Sequence, residues 1–383
     1  MKICQITPYY LPHTGGIERY VYNLSQYLIS TKNHTIDILT ANIPESAENE
    51  TVDTIRIHRY PCRFSPMGNP ILSNLSDLPS RLNEYDIIHI HGVYTYLALK
   101  TILALRKKSS RKTNERKPKI YLTHHGRVVY PKSPKNVIVK IYENIFVRLI
   151  LKEIDTAVVL SKSDKEQFMS LGMPEEKITI IPNGIDRKVF VRPDNETLQK
   201  FRTAYSLIDK KIVLHLTVIS RRKGIFDLLH AFKQLNDKDT TLLVVGDGPD
   251  KEKAVSLAEK LGIKEQVVFT GKLSFENLLC AYSAADVYVL PSYFEGMPTT
   301  ILESLTLETP VISTKIPGVA DNFEGVIQLV TAGDIAELST KMSEVLSGKC
   351  MNKIEITDEF MMQYDITSSF KKYDELYSDK GVE

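Results

Sequence analysis

The sequence lacks any apolar stretch of the about 18 consecutive residues that a membrane-spanning helix needs. Its first residues, MKICQITPYY, also lack the apolar core of a secretory signal peptide and lead directly into a short strand pattern. These two absences argue against a chain that spans or crosses a membrane. We therefore expect a cytoplasmic protein.

Cysteine is scarce, and no two cysteines have the spacing of a metal site or a redox pair. The four are Cys4, Cys62, Cys280 and Cys350. Buried free thiols are the simplest interpretation. The first glycine-rich loop, TPYYLPHTGGIERY, also lacks the G-x-G-x-x-G pattern of a dinucleotide site.

The composition is that of a globular protein, with 43% hydrophobic and 25% charged residues. A chain of 383 residues is too long for one comfortable core, so we expect two domains. Short apolar runs alternate with stretches of helical period, which predicts parallel sheets covered by helices. The candidate strands are 2–7, 35–40, 54–59, 86–91, 119–124, 156–161, 178–182, 211–217, 240–246, 266–271, 286–291 and 310–314.

The polar segment that begins at about residue 184 separates two series of strands and predicts a domain boundary. We expect an α/β fold of two doubly wound parallel-sheet domains, with a ligand cleft between the carboxyl ends of their strands. The first domain is predicted at 1–186 and the second at 187–367. A last helix, at about 368–383, is expected to return to the first domain.

Positive charge is concentrated in the first half of the chain. Residues 1–185 hold 25 Lys or Arg against 17 Asp or Glu, and the remainder holds 24 against 30. The densest basic run is 104–119, which suits either a solvated loop or an anionic membrane surface. No aromatic residue interrupts this run to stack on bases, so we expect no nucleic-acid partner. The segment 136–153 suits an amphipathic membrane helix or a helix packed on the sheet.

Polar residues cluster after several predicted strands. The pair Gly15-Gly16 lets the backbone approach a ligand, and the helix that follows favours an anion. His89 and His91 end one strand, and His124 and His125 end the next; no spacing identifies a metal site. For His89 we prefer a structural position, whereas for His125 both a structural position and one facing the cleft remain open.

A basic turn, Arg221-Arg222-Lys223, joins a predicted strand to a helix at Gly224. Three adjacent cations repel one another unless they face solvent or a polyanion. A diphosphate suits Arg through paired hydrogen bonds and Lys through its point charge. We assign Arg221 to a solvated turn with structural company, and Arg222 and Lys223 to phosphate binding.

Two glutamates, Glu295 and Glu303, flank a predicted helix start in EGMPTTILE. Pro298 suits the first turn of that helix. One carboxylate can therefore meet one end of a ligand, the free amides its anionic middle, and the second carboxylate its far end.

Together these segments resemble the retaining glycosyltransferases of family 4, which have the GT-B fold of two facing Rossmann-like domains. The resemblance covers nearly the whole chain and rests on PYYLPHTGGIE, DIIHIHG, LTHHG, IPNGID, RKG, VVGDGP and EGMPTTILE in register. The last segment matches the E-x7-E signature of that family. The family transfers a sugar from a nucleotide donor with retention and usually needs no bound metal.

The resemblance implies a role for each site residue. Glu303 is expected to hold the ribose hydroxyls, Glu295 the sugar hydroxyls, and Arg222 and Lys223 the diphosphate. Gly16 is expected to approach the diphosphate, and His125 to lie near the transferred sugar. The catalytic residues are then His125, Lys223, Arg222 and Glu295, and the remaining substrate-binding residues are Gly15, Gly16, Gly296, Met297, Pro298, Thr299 and Glu303.

Two positions depart from the family pattern. Many relatives carry Gly-Arg where this chain has Thr217-Val218, so one phosphate contact depends on whether Arg221 replaces it. Relatives also tend to have glycine where this chain has Glu308, a change to which the sequence assigns no function.

The sequence offers no clear nucleophile for a double displacement, so a front-face transfer is favoured. The expected donor is a UDP-sugar, with no further cofactor. The expected acceptor is a glycan or lipid-linked saccharide at the cytoplasmic membrane face.

The alternatives are a sugar-nucleotide epimerase of related fold and a non-catalytic nucleotide-sugar binding subunit. A retaining glycoside hydrolase also uses two carboxylates, but a basic turn fits a nucleotide sugar better. A metal-dependent GT-A transferase needs an Asp-x-Asp at a strand end, and the only such string, Asp237-Lys238-Asp239, precedes a strand.

Overall fold

The computed structural model describes residues 1–13, 15–109, 117–127, 133–349 and 357–378. Residues 110–116 of the basic run 104–119, on which the membrane interpretation depends, lie outside the described residues, as does Cys350. The chain divides into two compact units. Unit 1 comprises Met1–Pro182 and the chain from Ser369 onward, and unit 2 comprises Asn183–Ser368.

Unit 1 is built on an eight-stranded sheet in the order β10-β9-β8-β7-β1-β2-β4-β3. Strand β1 lies inside this sheet and pairs with β2 and β7, where Ile3 is opposite Ile36 and Ile87. The strands are β1 (Lys2–Ile6), β2 (Thr35–Ala41), β3 (Asn49–Val52), β4 (Ile55–Tyr60), β5 (Cys62–Phe64), β6 (Ile71–Leu72), β7 (Ile87–His91), β8 (Lys119–Thr123), β9 (Thr156–Val159) and β10 (Ile178–Ile180), of which β5 and β6 form a separate ribbon.

One edge of unit 1 departs from the predicted parallel pairing, because β3 runs antiparallel to β4. Its sequence, NETV, is largely exposed and polar, so no apolar period marks it as a strand. The ribbon of β5 and β6 was likewise not predicted. Antiparallel edge strands on an otherwise parallel sheet are common in α/β folds.

The helices of unit 1 cover the faces of its sheet. They are α1 (Gly16–Lys32), α2 (Leu78–Arg81), α3 (Tyr96–Ser109), α4 (Lys135–Tyr142), α5 (Arg148–Leu151) and α6 (Lys162–Ser170). A π-helical segment, Glu143–Val147, joins α4 to α5. Among the residues that the structure describes, no helix is long and apolar enough to cross a membrane.

Unit 2 is built on a six-stranded parallel sheet in the order β13-β12-β11-β14-β15-β16. On its central strand, Val213 lies opposite Leu242 and Val287. The strands are β11 (Lys211–Leu216), β12 (Thr240–Val245), β13 (Val267–Gly271), β14 (Val287–Leu290), β15 (Val311–Thr314) and β16 (Gln328–Val330). The short β16 was not predicted.

Among the described helices of unit 2, six each follow one of its strands, as the alternating pattern predicts, while the first and the last do not. The helices are α7 (Asn195–Ala204), α8 (Ile225–Leu235), α9 (Lys251–Lys260), α10 (Phe275–Ala284), α11 (Thr299–Thr306), α12 (Pro317–Phe323), α13 (Ile335–Leu346) and α14 (Asp358–Met362). The last helix, α15 (Ile366–Ser378), begins in unit 2 and continues into unit 1.

Helix α15 is anchored in unit 1 by hydrogen bonds to the ends of the sheet strands. The hydroxyl of Tyr121 donates to the carbonyl of Leu376 at 2.7 Å, and the Thr123 and Tyr373 hydroxyls are 2.9 Å apart. The fully buried His89 bonds to Thr123 and Tyr377. His89 therefore holds a strand end against a helix, which confirms its structural assignment.

Candidate functional site

The two glutamates of EGMPTTILE lie on the loop after β14 and on α11. Glu295 is in the loop, and Glu303 is the fifth residue of the helix. The helix begins at Thr299, so Pro298 precedes it instead of lying in its first turn, because its ψ of 112° is extended. The amides of Thr299 and Thr300 have no acceptor within the helix and are available to an anion.

Glu295 is held by a lysine and a serine. The Lys223 Nζ lies 2.6 Å from Glu295 Oε1 and 2.8 Å from Oε2, and the Ser292 hydroxyl donates to Oε1 at 2.6 Å. The side chains of Lys223 and Glu295 are only 14% and 9% exposed, so solvent screens this ion pair weakly. The lysine expected at a diphosphate is thus neutralised by the carboxylate expected at the sugar.

Glu303 is buried and accepts a hydrogen bond from a tyrosine on the preceding helix. The hydroxyl of Tyr282 donates to Glu303 Oε2 at 2.7 Å, and Tyr282 itself is fully buried. On β14, the buried Tyr288 donates to the Thr300 hydroxyl at 2.8 Å. Both tyrosines fix the start of α11, because a buried hydroxyl that lost its partner would cost free energy.

The loop between the two glutamates is packed tightly against neighbouring backbone. An added Cβ at Gly318 would overlap the carbonyl oxygens of Glu295 and Gly296. The carbonyl of Met297, which is 5% exposed, accepts a hydrogen bond from the Asn183 side chain at 3.0 Å. Residues 295–297 therefore have little freedom to move.

The basic turn forms a short 3₁₀ helix, Arg221–Lys223, that ends at Gly224. Gly224 has a φ of 77°, and an added Cβ there would overlap the carbonyl of Pro291 at the end of β14. The amide of Tyr293 also donates to the Arg222 carbonyl at 2.9 Å. Only glycine lets the turn approach the strand closely enough for Lys223 to reach Glu295.

The two arginines of this turn have different surroundings. The side chain of Arg222 is exposed. The guanidinium of Arg221 lies 5.0 Å from the centre of the Phe226 ring, and its amide donates to Asp250 at 2.8 Å. Arg221 therefore contacts neighbouring side chains, as expected. Val218, at the position of the family arginine, is 56% exposed.

A buried histidine beside the basic turn was not predicted. His215 on β11 is fully buried, and its Nδ1 lies 2.9 Å from the carbonyl of Val289. A carbonyl only accepts, so Nδ1 carries the proton and Nε2 is left as an acceptor without a partner among the described residues. Burial lowers the pKa of His215 to about 4, and the charge of Lys223 acts in the same direction.

In unit 1, the glycine pair leads into α1 as expected. Gly15 precedes the helix with extended backbone, and an added Cβ at Gly16 would meet only open space. The carboxylate of Glu18 folds back against Gly15, where an added Cβ would overlap it. Glu18 is 5% exposed, burial raises its pKa, and His13 lies 3.3 Å away. A carboxylate of the chain thus lies at the helix start that was predicted to bind an anion.

His125 is the outer member of a chain of polar side chains in unit 1. Its Nε2 lies 3.0 Å from His91 Nδ1, and His91 Nε2 lies 2.6 Å from Gln5 Oε1. The Gln5 oxygen accepts a hydrogen bond, so His91 Nε2 carries a proton and His91 Nδ1 is an acceptor. His125 Nε2 then donates to His91 Nδ1, which leaves His125 Nδ1 as an acceptor. The ring of Tyr20 packs edge-on against His125 at 5.3 Å. His125 is held in one orientation.

The buried histidines make stability depend on pH. Burial lowers the pKa of His89 and His124 to about 3 and that of His215 to about 4, against 6.5 when exposed. The unfolded chain therefore binds more protons below pH 6.5, and stability is lost as the pH falls. We expect each of these three histidines to lower the free energy of unfolding by about 1.4 kcal/mol between pH 7.5 and pH 5.5, about 4 kcal/mol together.

Urea unfolding at the two pH values measures this drop. The interval lies above the range in which most carboxylates titrate, so histidines dominate it. The variant His89→Gln should reduce the drop by about 1.4 kcal/mol whatever its stability at pH 7.5. Unfolding free energies that do not change over the interval would contradict the assignment of neutral buried histidines.

The structure brings together part of the predicted site. Lys223, Glu295 and Ser292 are in direct contact within unit 2, and Glu303, Gly296, Met297, Pro298 and Thr299 share the adjoining loop and helix. Gly15, Gly16 and His125 belong to unit 1. Within the described ranges, no group of three or more His, Cys, Asp and Glu side chains is arranged to hold a metal ion.

Four residues of the site were missed from the sequence: Glu18, His215, Tyr282 and Ser292. The sequence marks one of them: His215 interrupts the apolar residues of the predicted strand KIVLHLT. Tyr282 reaches Glu303 from a different helix, whereas Ser292 and Glu18 contact neighbours three residues away, Glu295 and Gly15, and no sequence pattern marks either pair.

Two sequence profiles match the chain in succession. Residues 14–189 match the profile described as Glycosyltransferase Family 4, and residues 199–357 match that of Glycosyl transferases group 1.

Named enzymes from bacteria align with most of this chain. It is 25% identical to the GDP-mannose-dependent alpha-(1-6)-phosphatidylinositol monomannoside mannosyltransferase of Mycolicibacterium smegmatis over 89% of this chain and 88% of that protein. It is 27% identical to the alpha-monoglucosyldiacylglycerol synthase of Streptococcus pneumoniae over 97% of this chain and 88% of that protein.

A solved structure has the same fold. HepE of Anabaena in complex with UDP-glucose superposes with a TM-score of 0.75 at 17% identity, over 99% of both chains. The prediction of two Rossmann-like domains in the GT-B architecture is confirmed. Because its two parts match two glycosyltransferase profiles in chain order and its fold is that of GT-B enzymes, the chain belongs to the GT-B glycosyltransferases.

Proposed function

We propose that the protein is a retaining hexosyltransferase that moves a sugar from a nucleotide-sugar donor, a UDP-sugar, to an acceptor hydroxyl. The observation that carries this proposal is the contact of Lys223, Glu295 and Ser292 next to the start of α11. On that helix, Glu303 is held by Tyr282 of the preceding helix α10. A cation, free helix amides and two carboxylates suit a diphosphate joined to a ribose and a sugar.

In this proposal unit 2, predicted as residues 187–367, is the donor domain. Glu303 accepts hydrogen bonds from the ribose hydroxyls, and Tyr282 restricts the rotation of its carboxylate. The amides of Thr299 and Thr300 and the cations of Arg222 and Lys223 bind the diphosphate. Gly15 and Gly16 of unit 1, predicted as residues 1–186 with the last helix, let a backbone amide approach the same group.

In their ion pair, Lys223 and Glu295 neutralise each other's charge. When a diphosphate binds, Lys223 gains a second anionic partner, and Glu295 becomes able to accept from sugar hydroxyls. As the bond from the anomeric carbon to the phosphate oxygen breaks, negative charge grows on the diphosphate. Lys223, Arg222 and the helix amides stabilise that charge in a site already organised for it.

Retention follows from a front-face reaction. The acceptor oxygen bonds to the anomeric carbon on the face that the phosphate leaves, and the acceptor proton passes to the departing phosphate oxygen. His125, whose pKa burial lowers to about 4, stays neutral at pH 7 and serves as a hydrogen-bond partner of the sugar or acceptor. In this scheme the charge is stabilised by the chain's own cations and amides, and no further cofactor is needed.

The acceptor is proposed to be lipid-linked, at the cytoplasmic face of a membrane. Two relatives are named for lipid products or acceptors, a phosphatidylinositol mannoside and a glucosyldiacylglycerol. The excess of Lys and Arg in residues 1–185, densest in 104–119, supports an anionic surface nearby. Neutralising Lys107, Lys108, Arg111 and Lys112 should accordingly weaken binding to anionic liposomes.

Thermal unfolding with nucleotides tests the donor site first. We expect UDP near 100 times its Kd to raise the melting temperature of wild type by about 5 °C, and GDP, ADP and NAD to raise it less. The variant Glu303→Gln should lose most of the shift, because the amide cannot replace the carboxylate at the ribose. The measurement is a melting curve with each nucleotide and each UDP-sugar.

The control is Glu308→Gln, which changes an exposed acid just after the same helix and should keep the full shift. A shift that Glu303→Gln retains would contradict the ribose assignment. Product assays then separate the alternatives. An epimerase forms product from the donor alone, and a non-catalytic subunit binds UDP-sugar without consuming it.

A further inference from the structure

One helix of unit 1 carries an apolar face that no described residue covers. The helix runs from Lys135 to Leu151 through α4, the π-helical segment and α5. Its inner face packs on the core of unit 1 through Val147, Ile150 and Leu151. A surface helix normally presents polar residues on its other face.

Here the outer face is apolar instead. The exposed fractions of its side chains are 62% for Val137, 58% for Ile138, 53% for Ile141, 55% for Ile145 and 37% for Phe146. Elsewhere in the part of the chain that the structure describes, no stretch of ten residues exposes more than two large apolar side chains. We call these five residues the apolar helix face. Clustered exposure of this kind marks an interaction site.

The exposed charges of residues 135–152 have one sign. Lys135, Lys140, Arg148 and Lys152 flank the apolar helix face, and all four are exposed. The only acid between residues 135 and 152 is Glu143, which is buried and bonded to Arg127 at 2.8 Å and to the Tyr94 hydroxyl. The outer surface of the helix is therefore apolar and cationic.

We propose that the apolar helix face docks on a lipid bilayer that contains anionic headgroups. An amphipathic helix binds at a membrane interface by inserting its apolar side chains while flanking cations meet the headgroups. The same face pairing with a second copy of the chain is disfavoured, because a two-fold contact would bring identical cations together. The proposal rests on the proposed lipid-linked acceptor and identifies the surface that would bring the enzyme to it.

The first test uses the absence of tryptophan from the whole chain. In Ile141→Trp the new side chain is the only indole, so its emission reports on the helix alone. Vesicles of phosphatidylcholine with an equal amount of phosphatidylglycerol should shift this emission to shorter wavelength, and phosphatidylcholine alone should do so less. The control Val191→Trp places an indole at an exposed position of unit 2 and should show no shift.

The second test removes the apolar side chains. The triple variant Ile138→Gln, Ile141→Gln, Ile145→Gln should bind the mixed vesicles at least tenfold more weakly in a flotation assay. The matched control Val189→Gln, Val191→Gln, Ile208→Gln alters three exposed apolar residues of unit 2 and should bind as wild type does. Because the substituted side chains are exposed, the fold should persist, which the UDP melting shift verifies.

The outcomes separate the two proposals. Unchanged vesicle binding by the first triple variant would overturn the docking surface and leave the donor site untouched. An emission shift of Ile141→Trp that depends on protein concentration without vesicles would also overturn it, in favour of self-association. Loss of UDP binding in wild type would count against the proposed function whatever the vesicles show.

Discussion

The variant Lys223→Met should transfer sugar about a thousandfold more slowly than wild type and lose about 3 kcal/mol of unfolding free energy. The two losses have different causes. Catalysis suffers because the cation that stabilises the departing diphosphate is gone. Stability suffers because Glu295, which is 9% exposed, keeps only the Ser292 hydroxyl as a partner among the described residues and becomes a buried unpaired charge.

A second substitution separates these causes. In the double variant Lys223→Met, Glu295→Gln the buried charge is removed, so we expect stability to recover by about 2 kcal/mol relative to Lys223→Met. Transfer should not recover, since neither change restores a cation at the diphosphate. Urea unfolding and initial transfer rates are the two measurements. A double variant as unstable as Lys223→Met would show that the ion pair is not what holds this region together.

The variant Gly224→Ala should lose at least a hundredfold in transfer rate and about 3 kcal/mol of stability. The backbone of Gly224 has a φ of 77°, and the added methyl would overlap the Pro291 carbonyl. The turn must then move away from β14. Because Lys223 is the adjacent residue, its Nζ moves away from Glu295, and a displacement of about 1 Å is enough to slow a reaction about a hundredfold.

Gly262→Ala is the matched control for this effect. Gly262 also has a left-handed φ, 68°, but an added Cβ there would meet nothing within 4 Å. It should cost only the backbone strain, about 1 kcal/mol, and leave transfer unchanged. Equal stability losses in the two variants, measured by urea unfolding, would assign the effect to φ and exclude the clash.

Strands whose two faces are both buried could be predicted from the sequence. β12, with the sequence TTLLVV, is buried at every position because a central parallel strand is covered on both faces, and its continuous apolar run LLVV marks it as a strand. The edge strand β3 has no such signal, because NETV faces solvent and is a strand only through its pairing with β4. β16, with three residues, is too short to show a period.

The site could be predicted in its chemistry and less well in its contacts. The residue types of the basic turn predict a diphosphate, and the resemblance to family 4 adds a ribose at Glu303 and a sugar at Glu295 as expectations. That Lys223 pairs with Glu295 could not be predicted, because the two are 72 residues apart and meet only where β11 and β14 lie side by side. Tyr282 likewise reaches Glu303 only through packing of α10 against α11.

The structure also accounts for Glu308, which the sequence left unexplained. Its φ is 61°, in the left-handed region that glycine adopts without strain. A glycine would adopt this backbone turn after α11 freely, whereas Glu308 occupies it at some cost in strain. Its side chain is exposed, which agrees with a backbone role for the position.

Helix α15 makes the completion of unit 1 depend on the order in which the chain is synthesised. Thr123 and Tyr373 are 250 residues apart, and Tyr121 meets Leu376 over 255. While a ribosome is still making the second unit, His89 and Thr123 have no partners from α15, and the first unit has an unfinished surface. Unit 2 is a continuous segment, so the part of the protein that is made later can close its core earlier.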